Sequence, residues 1–121
     1  MADVFNNSIL RPITMVKGDT LSFGFQITGL SGAEPDAISF SCKENLEDDE
    51  CIFSISLEDG ITLRSYEQAT DTLTYGVRVA PELTAGVDLG KYFYDLQIKV
   101  NDDVLTLMKG SLSIEWEVDE T

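Results

Sequence analysis

The sequence predicts an all-β fold, a sandwich or barrel of short strands, and three observations carry that prediction. Apolar residues recur at every second position through most of the chain, turn-forming clusters interrupt them at short intervals, and helical periodicity is almost absent.

Taken in order, "RPITMV" at 11–16 opens as a short first strand, with Pro12 at its start because proline has no N–H to give to a ladder. "LSFGFQIT" at 21–28 sets Leu21, Phe23, Phe25 and Ile27 on one face. "AISFSC" at 37–42 does the same with Ile38, Phe40 and Cys42, and "CIFSISL" at 51–57 with Cys51, Phe53, Ile55 and Leu57. Such alternation marks half-buried antiparallel strands. "ITLRSY" from Ile61 and "TLTYGVRVA", with Leu73, Tyr75, Val77 and Val79, continue the series. "APELTAG" at 80–86 is the one stretch suited to a helical turn. Turns are expected at "KGD" (17–19), "GLSGAEPD" (29–36), "EDG" (58–60), "EQATD" (67–71) and "NDD" (101–103).

The last two strands, "YFYDLQIKV" and "VLTLMKGSLSIEWEV", predict their own register. A hairpin turning at Asp102 and Asp103 sets Val100 against Leu105 and Ile98 against Leu107. Continued unchanged, it would bring Lys109 inward and leave Leu112, Ile114 and Trp116 in solvent, because a one-residue slip inverts every side chain. One extra residue repairs this. A β-bulge in the last strand is therefore expected at Lys109 and Gly110, with Leu112 facing Tyr94, Ile114 facing Tyr92 and Trp116 joining the core near Gly90.

The 121 residues suit a single domain, 1–121, with its core between about 11 and 118. Eight basic against 22 acidic residues leave a net charge of −14, and the cations are scattered along the sequence. A phosphate backbone or an anionic bilayer needs clustered lysine and arginine, so neither nucleic acid nor membrane is an expected partner. The first residues do not read as a secretory signal, and the apolar runs are too short to span a bilayer. Cys42 and Cys51 both fall on inward positions, which predicts two buried free thiols. There is no histidine, so the commonest general base is missing, and no glycine-rich phosphate loop appears. The acids of "KENLEDDE" and of "NDD" match no calcium-loop spacing. No catalytic residue, metal site or cofactor is expected, and the chain reads as a non-enzyme.

Asp88, Gly90, Tyr92 and Tyr94 fit the spacing Asp-x-Gly-x-Tyr-x-Tyr. In immunoglobulin-type sandwiches a tyrosine enters the penultimate strand just after an acid and a small residue, and its hydroxyl bonds back to the backbone upstream. A buried phenol there satisfies a backbone group stranded where the chain crosses between sheets. This tyrosine-corner-like motif makes an immunoglobulin-like antiparallel sandwich of about 7–9 strands the expected fold. Tyr94 then stands where antibody domains carry a cysteine. Phe93 should face away from the core beside Ser113, flanked by Asp95, and is the candidate interface residue.

The succession "RPITMVKGDTLSFGFQITGL", "ISFSCKEN", "IFSISLEDGIT", "YGVRVAPELTAG" and "GKYFYDLQIKVNDDVLTLMKGSLSIEWEV" resembles small tail or baseplate-associated proteins of bacteriophages and prophages. It is similar to the N-terminal module of the phage baseplate upper protein family across about residues 11–118. The "KGDT" turn, the "GKYFYDLQ" strand and the final "KGSLSIEWEV" strand carry the likeness. It implies a non-enzymatic virion module that is made in the bacterial cytoplasm and acts through contacts with other tail proteins or with itself. Members of that family are longer than this chain. The other function class is a free-standing immunoglobulin-like domain that binds carbohydrate or protein at a cell surface.

Overall fold

The alternating stretches become strands. In the computed structural model, which describes residues 9–45 and 47–115, they are β1 Ile9–Leu10, β2 Ile13–Val16, β3 Leu21–Thr28, β4 Ala37–Lys43, β5 Phe53–Leu57, β6 Gly60–Glu67, β7 Thr72–Val79, β8 Gly90–Val100 and β9 Asp103–Glu115. A 3-10 turn at Pro81–Leu83 interrupts them, started by a proline whose missing N–H is not needed there. Period two is visible in the burial. Ile38, Phe40 and Cys42 are buried on β4, and Tyr92, Tyr94, Leu96 and Ile98 on β8.

The strands hydrogen-bond in the order β1–β9–β8–β4–β5–β6–β7–β3, with β2 also on β9. This path is folded over on itself. Phe23 of β3, at one end, meets Phe40 of β4 edge-on at 5.4 Å, although four places separate those strands in the path. The result is an all-β sandwich: β1, β2, β9, β8, β4 and β5 form one layer, and β6, β7 and β3 the other. The corner between them lies at "LEDG". Glu58 and Gly60 take positive φ (69° and 106°), and the β5–β6 ladder is only two pairs long, Ser56–Gly60 and Leu57–Ile61. Gly60 is required there, because a Cβ would lie 3.1 Å from the Arg78 carbonyl oxygen.

Two expectations about pairing are corrected. The opening stretch is two strands rather than one, broken at Arg11 and Pro12, and both run parallel to β9, as β5 runs to β6. Alternation reports which face is buried, and it carries no information about a neighbour's direction.

The bulge in the last strand exists, but its place differs. Asn101 and Asp102, with φ of 51° and 76°, form the turn alone, and Val100 pairs with Asp103. Two consecutive positive φ values are those of a type I′ turn, whose twist suits a two-residue hairpin. The tighter turn moves the register by two, so Ile98 faces Leu105. The extra residue is then Leu107, between the pairs Gln97–Thr106 and Leu96–Met108, and Leu107 and Met108 are both buried. Beyond it Tyr94 pairs with Gly110, Tyr92 with Leu112 and Gly90 with Ile114. Trp116 lies outside the described residues.

Gly110 serves a different purpose. A Cβ on it would lie 2.6 Å from the Arg11 carbonyl oxygen. That carbonyl sits at the break before Pro12, accepts a hydrogen bond from the Tyr94 hydroxyl, and belongs to a residue whose N–H bonds Lys109 at 3.0 Å. The glycine lets the first segment lie down on β9, and the phenol satisfies the carbonyl that the break strands.

One position earlier on the same face, the Tyr92 hydroxyl donates to the Asp88 carbonyl at 2.6 Å. Gly90 begins β8 with φ 154°, and Asp88 is exposed. Tyr92→Phe is expected to lower stability by about 1 kcal/mol, one hydrogen bond to a backbone group. Unchanged urea midpoints would show that the bond contributes nothing.

Asp71, in the β6–β7 turn, accepts from Ser31 and Gly32 N–H groups and from the Tyr66 hydroxyl, each at 2.9 Å. These donors, the Ser31 amide first, hold its carboxyl below the ordinary carboxylate range and pin the 29–36 loop to the turn.

Cys42 and Cys51 are both free, but only Cys42 is buried. Strand β5 begins at Phe53, opposite Cys42, so Cys51 precedes the ladder and lies in the exposed loop. Burial pushes the Cys42 thiol up to about 12, with nearby Cys51 adding to the shift. Iodoacetamide should therefore alkylate Cys51 in the native protein and Cys42 only after denaturant is added. Equal labelling of both would contradict this placement.

Candidate interaction surface

Every inward residue of β4, β5 and β8 has an outward neighbour, and on this layer those neighbours share a chemistry. β4 presents Ser39, Ser41 and Lys43, and β5 presents Ser54 and Ser56. β8 presents Lys91, Phe93, Asp95, Gln97 and Lys99, and beyond the bulge β9 presents Lys109, Ser111 and Ser113. The ladder fixes their arrangement. Phe93 lies between Lys43 and Ser111, and Asp95 between Ser41 and Lys109. Phe93 was expected beside Ser113, but Ser113 pairs with Lys91.

Short polar side chains pair across the strands. Ser41 and Ser54 hydroxyls are 3.0 Å apart, and Gln97 Nε2 reaches Thr106 Oγ1 at 3.3 Å. Among them Phe93 is half-buried at a small cleft of about 60 Å³ shared with Ser41, Lys43 and Asp95.

Charge is sorted by position. Strands β2, β4, β5, β8 and β9 carry four of the eight cations, Lys43, Lys91, Lys99 and Lys109. They carry three of the 18 acids among the described residues, and two of those, Asp103 and Glu115, are the end residues of β9. A chain of net charge −14 thus keeps one broad face from being acidic. Read along the sequence the lysines look scattered. The one signal available beforehand was that Lys91 and Lys99 share the outward parity of Phe93.

Asp95 is the exception at the centre. Burial raises its carboxyl above the ordinary carboxylate range, and Lys43 partly offsets the rise. A raised folded-state value means that the fold favours the protonated form, so ionised Asp95 opposes folding at neutral pH and ceases to do so in acid. Asp95→Asn should therefore be more stable than wild type at neutral pH, with the gap closing as pH falls through the Asp95 titration. A gap independent of pH in paired urea titrations would refute this.

Other placements bear on chemistry. Asp88, Gly90 and Tyr92 are brought together at the start of β8 by the Tyr92 bond, whereas Phe93 points to the opposite side of the sheet. Among the described residues no three His, Cys, Asp or Glu side chains are grouped to hold a metal ion, and no helix is long and apolar enough to cross a membrane. No protein-family model matches the chain, and no curated protein matches it.

Proposed function

We propose that this chain is a non-enzymatic structural module of a bacteriophage or prophage tail or baseplate, docking through the outward face of β4, β8 and β9. It works by contacts with other tail proteins or with copies of itself, in a virion assembled in the bacterial cytoplasm. The observation that carries the docking face is the sorting of charge. Four lysines and a half-buried aromatic share a serine-lined surface, while 15 of the 18 acids among the described residues lie outside its strands. Such a face attracts an acidic partner surface while the acidic loops around it repel one, which favours docking through this face. The order of motifs supports the tail assignment, as does the immunoglobulin-like reading of the sandwich with Tyr92 tied to Asp88.

Mass spectrometry of purified tails tests the assignment, and absence of the chain from them sinks it. For the face, Lys43→Glu combined with Lys91→Glu should abolish incorporation into tails while leaving the thermal midpoint close to wild type. Normal incorporation of the double variant would remove this surface from the proposal.

A further inference from the structure

The other layer carries a feature that the docking face does not use. Two of the chain's three arginines, Arg64 and Arg78, line one cleft of about 450 Å³ on the outer side of β6 and β7. Two backbone devices place them. The β6–β7 ladder slips between Leu63 and Ser65, so Arg64 is the extra residue of a bulge, and a bulge re-aims its side chain. Across from Thr62 stands Gly76, over which the Arg64 guanidinium lies. A Cβ at Gly76 would be 2.3 Å from its Nε and 2.7 Å from its Cζ. The absent side chain is thus the bed for a planar cation. Arg78 projects from the same side of β7 two residues on, about 7 Å along the strand.

Neither guanidinium has a hydrogen bond or ion pair to any described residue. Their donor forks are open in a chain of net charge −14, with Gly60, Thr62 and Leu83 lining the same cleft. Asp59 and Glu82 also line the cleft, and their charge opposes a ligand carrying several negative charges. The geometry points to a binding site for a single carboxylate, held by the forks of Arg64 and Arg78. A guanidinium fork matches a carboxylate by two parallel N–H···O bonds, which a lysine at the same place does not reproduce. The carboxylate belongs either to a small organic acid or to a glutamate or aspartate of a protein segment. The site is independent of the lysine face on the opposite layer.

The test is an NMR titration of the ¹⁵N-labelled full chain at constant ionic strength with three probes. They are N-acetylglutamate amide, its glutamine analogue, and a blocked neutral heptapeptide with one central glutamate. The expected result is saturable shifts at the Gly60, Thr62 and Gly76 amides and at both arginine Nε groups, with the glutamate probes and not with the glutamine analogue. Arg64→Lys and Arg78→Lys, which keep the charge, should each weaken binding about tenfold or more. Gly76→Ala should keep the wild-type thermal midpoint, since the displaced group is the end of a flexible exposed side chain, and still lose binding. A peptide binding tighter than the amino-acid amide assigns the site to protein segments; equal affinity assigns it to free carboxylates. No saturable shift with either glutamate probe, or binding indifferent to all three substitutions, overturns the proposal.

Discussion

Phe40→Ala should destabilise the protein by about 4 kcal/mol, the loss expected for truncating a fully buried phenylalanine. Phe40 has no exposed surface, and its ring meets Phe23 at 5.4 Å, Tyr94 at 5.4 Å and Phe53 at 6.1 Å. Phe23 comes from the opposite layer, so the cavity would open at the junction of the two sheets, where neighbours on regular ladders cannot collapse into it. Against a total stability of about 5–15 kcal/mol for a domain, this is a large fraction. Thermal unfolding should begin about 15 °C lower. A change under about 1 kcal/mol would mean that the layers are not held together at this point.

Gly110→Ala should lower stability by about 3 kcal/mol, combining backbone displacement with a stranded carbonyl. The new methyl carbon would lie 2.6 Å from the Arg11 carbonyl oxygen, and backbone on both sides leaves no flexible group to give way. The segment containing β2 must lift, and the bond from the Tyr94 hydroxyl to Arg11 is lost with it. Hydrogen exchange should accelerate at β2 amides before it does so at β7. Gly86→Ala is the control, since nothing lies within 4 Å of a Cβ at that glycine. Equal midpoints for the two variants would show that the close approach of Arg11 is not required.

The two outer faces of the sandwich differ in cation as well as in place. Lysines spread over a polar surface attract an acidic surface as point charges, whereas a guanidinium such as that of Arg64, lying over Gly76, can pair with one planar group. The loops between carry most of the acid, which keeps the rest of the surface solvated and negatively charged.

What the sequence by itself determined is everything that depends on a chain's own period. Alternation at 21–28, 37–42 and 72–79 predicts strands and their buried faces, because side chains on a strand point to opposite sides at successive residues. It also required a bulge in the last strand, since Leu112 and Ile114 are large and apolar while Lys109 is charged. Only the tertiary structure decided what depends on a second segment: the parallel docking of Ile13–Val16 on β9, and the exposure of Cys51. The bulge moved to Leu107 because the turn closed with two residues. Gly110 and Gly76 look alike in the sequence, yet one admits a backbone carbonyl and the other a guanidinium. The lysine face likewise exists only once β4, β8 and β9 lie side by side, because a patch is a property of neighbours in space, and pairing between strands far apart in the chain is set by packing rather than by local period.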